Sequence, residues 1–444
     1  MAEATRIRTK AEEALANHFA ALASDDAAAE IRNAAFDAFL EKGLPHRRVE
    51  DWKYTDLRAL VRDVPAPAQP AAFDASRDAL ARADVFAPLA PARIVFVNGF
   101  FVPSLSDTKG IEGDVEFVSL NRFLADGGSF LSRSQLDASE SPILALNGAF
   151  VRDGAALRIR EDAKVARPLE IVSVFAGSEP GLQTMRHQVM VGKGAEVTIL
   201  QTFSGPDGVA YHTNVVSEVQ VEAQAVVRWI VAQEEGDCAI HLNLLVPRLA
   251  DDVTFDPFTL ASGSLVSRNE VRLSFDAEGS SASLRGATVA KGKQLIDNTL
   301  VVDHAVPNCA SREQFNSAID GEAHGVFQGK IIVRKHAQKT DGKMMSRALL
   351  LSEEAEFANK PELEIFADDV VCGHGATCGQ IDEEMLFFLR SRGLDKREAE
   401  RLLIQAFLSE VVAEIGDEAV AECLDERIRR ALGAPASVTV GEAT

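Results

Sequence analysis

A cysteine and a histidine stand two residues apart near the end of the chain, as Cys372-Gly-His374. A thiolate and an imidazole together suit iron, zinc or an iron–sulfur cluster. The apolar alternation before them, at Leu363 and Ile365, is typical of a half-buried strand. Residues i and i+2 of a strand project from the same face, so both side chains should point to one place. The pattern predicts a metal or thiol site where a strand ends.

The number of donors limits what such a site could hold. A closed zinc site or a cluster generally takes four protein ligands. Cys372 and His374, with Cys378 four residues further on, supply two or three. We therefore expect a second subunit to complete the site, or binding to be transient. On the residues alone, a buried structural cysteine at position 372 stays open as the alternative.

The pattern becomes helical directly after this stretch. Gly375 and Gly379 end the strand, and Asp382-Glu-Glu opens a helix. Asp395 and Glu398 have the spacing of a capping box, which predicts a second helix, and a third follows. From Gly433 the chain is expected to be a tail. The candidate site should thus lie at a junction between strands and helices.

The elements that must position the site are strands, from about Leu144 to Val371. They are short and alternating, and similar units recur about thirty residues apart, such as Val189 to Val197 and Val219 to Val227. Repeats of this length indicate stacked coils, and two or three strands per unit favour a parallel β-helix. A jelly roll or a large sandwich is the structural alternative. An Asn-Gly pair before this region predicts a short hairpin at residues 93–102.

The N-terminal part is expected to be helical. Apolar residues recur at helical spacing through residues 5–42, which predicts two amphipathic helices with a break near residues 24–26. Trp52 and Tyr54 follow, and we interpret them as an anchor that docks this arm on the body, with a ligand platform as the alternative. The Pro- and Ala-rich residues 64–91 are typical of a linker.

Composition excludes several classes of function. The chain has 444 residues with 46% hydrophobic composition, as in an ordinary soluble globular protein. A formal net charge of −21 disfavours binding to nucleic acid or to a membrane surface. The N-terminal residues lack an apolar signal-peptide core and no apolar run approaches the ~18 residues that span a bilayer, so a cytoplasmic protein is expected. Five widely spaced cysteines predict reduced thiols.

Nucleotide hydrolysis by this chain is not expected. The nearest approach to a phosphate loop begins at Gly286 and continues to Gly292-Lys293-Gln294. It has one residue too many between its glycines, and a glutamine stands where a Mg²⁺-binding hydroxyl belongs. We interpret it as a turn between two strands, and no ATP site is predicted.

Several longer motifs resemble the SufB/SufD family of iron–sulfur cluster assembly scaffolds, and the SufD branch in particular. The resemblance covers essentially the whole chain, and no cysteine-rich segment of the SufB kind is found. The matching stretches are Pro45-x-Arg-Arg-x-Glu50-x-Trp52-Lys-Tyr-Thr55, Gly325-Val-Phe-Gln-Gly329-Lys-Ile-Ile-Val333, Ala337-Gln338-Lys-Thr340-Asp, Leu349-Leu-Leu-Ser352, Pro361-x-Leu-Glu-Ile365, Asp369-Val-x-Cys372-x-His374-Gly-Ala-Thr and Leu389-Arg-Ser-Arg-Gly393.

The resemblance implies a mainly β protein with a right-handed parallel β-helix core and helical ends. We expect a helical arm and linker at residues 1–91, the β-rich region at 92–375 and a helical domain at 376–444. It implies membership of a SufBCD complex, with Cys372 and His374 at the interface with SufB, where a nascent iron–sulfur cluster is held transiently and shared with that partner. The C-terminal helices are implied to dock the SufC ATPase, with a binding surface expected to include Asp382, Leu386, Phe388, Arg390 and Arg392.

Two departures and one alternative accompany this interpretation. Gly342-Lys-Met-Met-Ser-Arg stands where a Gln-x-Asn-like pattern is expected, and Cys378 is not at an expected ligand position, so we treat it as incidental. The isolated chain could also form a homodimer. The alternative function is a β-helix enzyme, a metal-assisted polysaccharide lyase or hydrolase, which rests on fold analogy.

Overall fold

The computed structural model describes residues 7–22, 29–126 and 141–433. The expected break between the first two helices and the expected tail after Gly433 lie outside these ranges. In the described part the protein is mainly β, with helices at both ends. No helix within these ranges is long and apolar enough to cross a membrane.

The body consists of strands in two sheets, one of ten strands and one of nine. In chain order the strands are β1 (Ala92–Val97), β2 (Phe100–Phe101), β3 (Val115–Ser119), β4 (Ala155–Ile159), β5 (Leu169–Val174), β6 (Leu182–Val191), β7 (Glu196–Ser204), β8 (His212–Val221), β9 (Val226–Glu234), β10 (Ile240–Leu249), β11 (Thr254–Ala261), β12 (Val266–Phe275), β13 (Ser281–Ala290), β14 (Leu295–His304), β15 (Ala310–Ile319), β16 (His324–Val333), β17 (Asp341–Leu350), β18 (Glu356–Ile365) and β19 (Val371–Gly379).

Successive strands from β4 onward alternate between the two sheets. Each pairs in parallel with the second strand along the chain, for example β6 with β8 and β8 with β10. The predicted parallel β-helix is therefore confirmed, and the jelly-roll and sandwich alternatives are wrong because those folds pair their strands antiparallel. The predicted hairpin is present as the antiparallel pair β1 and β2, where Val97 faces Phe100.

The repeated sequence units stack in register. Val189 and Val191 pair with Val219 and Val221 of the next coil, and Val197 pairs with Val227. These valines belong to the apolar core between the sheets. Burying each valine contributes about 1.5–3 kcal/mol. Because each coil packs only against its neighbours, apolar residues recur at the same interior positions of successive coils.

The stretch from Gly286 to Gln294 is part of this coil pattern. Gly286 lies within β13, and Gly292 lies in the turn that leads to β14. A phosphate loop would instead join a strand to a helix. The interpretation of this stretch as a turn between strands is confirmed.

The helices lie around the ends and outer faces of the β-helix. They are α1 (Lys10–Ala21), α2 (Ala29–Lys42), α3 (Leu57–Leu60), α4 (Phe73–Leu80), α5 (Leu120–Ala125), α6 (Pro142–Phe150), α7 (Glu383–Ser391), α8 (Lys396–Val412) and α9 (Glu418–Ala431). Thr9 and Glu12 form a capping box at the start of α1. Gly43 follows α2 with a φ of 68°, a value that favours glycine and ends the helix. The two predicted N-terminal helices are confirmed.

Helix α6 was not predicted. Its residues lie in the part of the chain that was expected to contain strands from Leu144, and the expected linker 64–91 also contains a helix, α4. Every residue of α6 is buried, and Phe150 packs near Phe19 and Phe36 of the first two helices. A helix covered on all sides lacks the one-sided apolar period that reveals an exposed helix.

Trp52 docks the N-terminal arm on the β-helix, as expected. Its ring lies 3.9 Å from the guanidinium carbon of Arg268, which is fully buried on β12. Arg268 forms ion pairs with Asp297 at 2.6 Å and Glu270 at 3.0 Å. Thr55, three residues after Trp52, donates a hydrogen bond to Asp297. The anchor interpretation is confirmed, because the Trp52 ring is buried and packs on the Arg268 guanidinium.

The C-terminal helices pack on the outer face of the ten-stranded sheet. Leu408 and Val411 of α8 and Leu424 of α9 share an apolar cluster with Leu260 and Val289 of the sheet. Asp395 accepts a hydrogen bond from the backbone of Glu398, so the predicted start of α8 is confirmed. This packing brings the helices next to the last coils of the β-helix.

Candidate functional site

The last coil of the β-helix ends in two strand edges. Strand β19 is the final strand of the ten-stranded sheet, and β18 is the final strand of the nine-stranded sheet. Within the described ranges, each pairs only with the strand one coil before it. The outer edges of both strands therefore offer unpaired backbone N–H and C=O groups, which are a template for pairing with another chain.

Cys372 and His374 lie on β19 and face the interior side of this open end. Cys372 is half-buried and packs against the core between the sheets, whereas His374 is exposed. Gly373 separates them, so the alternation of the strand brings the thiol and the imidazole to one face, as the sequence predicts. In the coil below, Gly342 pairs with Cys372 and Met344 pairs with His374.

The environment of Cys372 favours the neutral thiol. Burial raises the pKa of Cys372 above its usual range, the Gly342 backbone lowers it in part, and the negative charge of Asp341, with that of Glu313 when it is ionised, raises it further. A thiol of this kind stays protonated at neutral pH, and its proton must leave before the sulfur can bind a metal ion. A metal ion that bound at Cys372 would therefore displace this proton.

The described part of the chain places two donors, Cys372 and His374, on this face of β19. Among the residues that the structure describes, no group of three or more His, Cys, Asp or Glu side chains could hold a metal ion. Cys378 lies on the same strand but six residues beyond Cys372, about 20 Å along an extended chain, and is exposed. Four-ligand binding would need donors from outside this set.

The residues expected to bind a partner lie on or near α7. Asp382 accepts hydrogen bonds from the backbone of Glu384 and Met385 at 2.9 and 3.1 Å, so its carboxylate caps the helix. Leu386 is only 5% exposed and supports the helix from below. Phe388 is 48% exposed, and the Arg392 guanidinium lies 5.0 Å from its ring. Arg390 is also exposed.

Two exposed apolar residues of α7 were missed by the sequence analysis. Phe387 is 74% exposed and Met385 is 49% exposed, and together with Phe388 they form an apolar surface, called here the α7 surface. The signal was present in the sequence, because a helix that buries Leu386 must turn the residues on either side of it outward.

Comparison with known proteins gives a consistent set of relatives. The family model described as the SufBD core domain of the SUF system for FeS cluster assembly matches residues 174–407. The model described as the SufBD protein N-terminal region matches residues 10–171. The iron–sulfur cluster assembly protein SufD of Escherichia coli is 31% identical, over 88% of this chain and 90% of that protein. A SufBD-family iron–sulfur cluster assembly protein of Synechocystis is 30% identical over 86% of each chain. SufD of Bacillus subtilis is 27% identical over 68% of this chain and 69% of its own.

Proposed function

This chain belongs to the SufBD family of iron–sulfur cluster assembly proteins, and we propose that it is a non-catalytic scaffold subunit of a SufBCD complex. In this proposal a SufB paralogue covers the open edges of β18 and β19, and a SufC ATPase binds the C-terminal helices. The cargo is a nascent iron–sulfur cluster held transiently between the chains. ATP is bound by the partner and not by this chain.

The observation that carries the proposal is the position of Cys372 and His374. Both lie on the last strand of the ten-stranded sheet, and within the described ranges the outer edge of that strand is unpaired. Strand edges of this kind pair readily with a strand of another protein. A partner docked there would bring its own side chains next to the thiol and the imidazole. The two donors of this chain would then become part of a complete ligand set.

The divided ligand set also suits transient binding. In the proposed cycle Cys372 gives up its proton and binds the cargo through its thiolate, while His374 contributes a ring nitrogen. The remaining ligands come from the SufB paralogue. Neither chain holds enough ligands alone. Movement of one chain relative to the other therefore breaks part of the ligand set, which lowers the affinity for the cluster and favours its transfer to an acceptor protein.

The α7 surface supports the docking of a second partner. Met385, Phe387 and Phe388 expose apolar side chains in a chain whose net charge is −21. Exposed apolar groups that cluster on one helix are typical of a protein–protein interface. Arg390 and Arg392 lie beside them as the cationic rim, and an aromatic core with an arginine rim is a common composition for such interfaces.

The role of the two donors is tested in a complex assembled from this chain and its SufB and SufC partners. Cys372→Ala and His374→Ala should each lower the amount of cluster formed, followed by visible absorption, at least about tenfold. Complex formation, followed by size-exclusion chromatography, should not change. Cys378→Ala is the matched control on the same strand and should keep the wild-type yield. A wild-type yield from both Cys372→Ala and His374→Ala would show that these residues do not hold the cluster.

The docking surface is tested by Phe387→Asp. A buried interface aromatic often contributes more than 2 kcal/mol, so capture of the SufC ATPase should fall at least about thirtyfold. Phe73→Asp on α4 is the matched control, since Phe73 is also exposed but lies on the N-terminal arm. Point variants are preferable to deletion of 382–444, because that deletion would uncover the apolar face under α8 and α9. Equal capture by Phe387→Asp and by the wild-type protein would contradict this docking assignment.

The enzyme alternative and the homodimer stay predictions. A lyase or hydrolase would be active as the isolated chain, so the purified protein alone should be assayed with polysaccharide substrates. Light scattering of the isolated chain tests the homodimer, which we expect to use the edges of β18 and β19. Such a dimer should dissociate when the SufB paralogue is added, since both would occupy the same edges.

A further inference from the structure

The interior of the β-helix contains a buried carboxyl group near its open end, that of Glu313. Glu313 of β15 is 1% exposed, and in the described part of the chain neither carboxylate oxygen has a hydrogen bond of ordinary distance and angle, although the Ser311 hydroxyl lies close enough to stabilise the ionised form in part. Taking a carboxylate out of water without a partner is strongly unfavourable, so almost all buried polar groups are paired. An acid held in this way, two coils from a candidate site, calls for a functional explanation.

The register of the sheet places Glu313 beneath the two donors. Glu313 pairs with Met344 of β17, and Met344 pairs with His374 of β19. In the adjacent interior row, Ser311 pairs with Gly342, and Gly342 pairs with Cys372. Two strand spacings separate the backbone of Glu313 from that of His374, which is about 10 Å. The carboxyl group thus lies one coil below the layer that touches the site.

In the layer between Glu313 and the donors, the β17 residues that pair with Cys372 and His374 are Gly342 and Met344, which are uncharged. Gly342 has no side chain, and a Cβ there would lie 3.6 Å from the Cys372 sulfur. The Met344 sulfur extends toward the facing sheet, where a Cβ on Gly329 would lie 2.4 Å from it. Such an interior screens charge weakly, so a charge on Glu313 changes the electrostatic potential at Cys372 and His374 across the intervening coil.

The groups around Glu313 do not compensate its charge. Burial raises the pKa of Glu313 to about 8, and the nearby Ser311 hydroxyl and the Arg312 charge oppose this only in part. The Ser311 hydroxyl is engaged with the Nε2 atom of His304 at 3.0 Å. His304 is itself neutral, because burial lowers its pKa to about 4. Asp341 adds a further negative charge near Cys372.

We propose that Glu313 is the interior counter-charge for a cation bound at Cys372 and His374, neutral while no cation is bound and ionised when ferrous iron binds there. This inference rests on the proposed function of that site. Binding of one ferrous ion then releases two protons to solvent, one from the Cys372 thiol and one from the Glu313 carboxyl. The two positive charges are balanced by a thiolate and a carboxylate, and His374 stays neutral. Glu313 touches no ligand atom, so it is a positioning residue that acts through its charge.

Glu313→Gln tests this, because glutamine keeps the shape and cannot ionise. The probe is ferrous iron added anaerobically to the assembled complex, with affinity measured by competition against a chromophoric chelator. The affinity for ferrous iron should fall on the order of tenfold. This is the effect expected for one charge about 10 Å from a divalent ion, at an effective dielectric constant of about 20 and with further screening by solvent at the open end. Alkylation of Cys372 at pH 8.5, followed by mass spectrometry, should become faster, because a negative charge that disfavours the thiolate is gone.

Faster alkylation in Glu313→Gln at pH 8.5 but not at about pH 6.5 indicates a charge effect, because Glu313 is protonated at the lower pH, whereas structural damage would expose the thiol at both values. The control is Glu235→Gln, another buried interior acid, which pairs with His241 at 2.6 Å in an earlier coil. It should leave the iron affinity unchanged. Unchanged affinity or slower alkylation in Glu313→Gln would overturn the inference. If Cys372→Ala still weakens iron binding in that case, the proposed function stands. If Cys372→Ala and His374→Ala also leave the affinity unchanged, both proposals fail.

Discussion

The Glu313→Gln variant should be more stable than the wild-type protein, and its advantage should grow with pH. Burial raises the pKa of Glu313 in the folded chain from 4.5 to about 8. Between these two values the unfolded chain is ionised at this position while the folded chain keeps its proton. The unfolded state then binds fewer protons, so the free energy of unfolding falls as pH rises through this window. Glutamine does not titrate and removes this penalty.

The size of the effect follows from the two pKa values. At pH 7 the solution is about 2.5 pH units above the unfolded value, and each unit corresponds to about 1.4 kcal/mol, which gives about 3 kcal/mol. The same relation gives about 1 kcal/mol at pH 5 and about 4 kcal/mol at pH 8. Below about pH 4 the two proteins should be equally stable, and above about pH 9 the difference should level off.

Urea unfolding of both proteins at pH 5, 7 and 8 measures this directly. The buried side chains of Trp52 and Trp229 provide a fluorescence signal for loss of the folded state. The difference in free energy of unfolding between the variant and the wild type should increase by about 3 kcal/mol from pH 5 to pH 8. A difference that stays constant across this range would refute the reasoning, because the side chain would then not titrate as a buried acid.

Other substitutions test the packing. Trp52→Ala should lower the free energy of unfolding by about 3–5 kcal/mol, since it removes a buried ring over Arg268, and thermal unfolding would measure this. Gly154→Ala should disrupt folding, seen as loss of soluble protein, because its Cβ would lie 1.7 Å from a backbone oxygen. Gly113→Ala is its control and should have little effect, because a Cβ there meets nothing within 4 Å. Phe387→Asp should change stability by less than about 0.5 kcal/mol, as its side chain is exposed.

The sequence predicted the β-helix because its repeats place apolar residues at the positions that each coil must bury. Each coil buries only the side chains that face the interior, so the valines of one unit reappear about thirty residues later, as at Val189 and Val219. The turn at Asn98-Gly99 and the helix cap at Asp395 are similarly local, and both were predicted. Local chemistry decides these features before any tertiary contact forms.

The missed features depend on neighbours that are distant in sequence. Helix α6 was taken for strands because it is covered on all sides. Glu313 stands between Arg312 and Gln314, a run typical of an exposed strand, although Phe315 two residues later shares its face and indicates the interior. The alternation predicted that Cys372 and His374 face one way. Their place at an open strand edge depends on where the stack of coils ends.

The docking of the N-terminal arm has a consequence for the order of events during synthesis. Glu50 contacts Lys360 of β18, which lies 310 residues further along the chain. The backbone of Asp51 contacts Gln328 of β16. At about 5–20 residues per second, the ribosome delivers these partners roughly 15–60 s after the arm itself. The contacts of the arm with Phe150 and Arg268 can form earlier, so the contacts with β16 and β18 are its last, and a chain arrested before β16 would lack them.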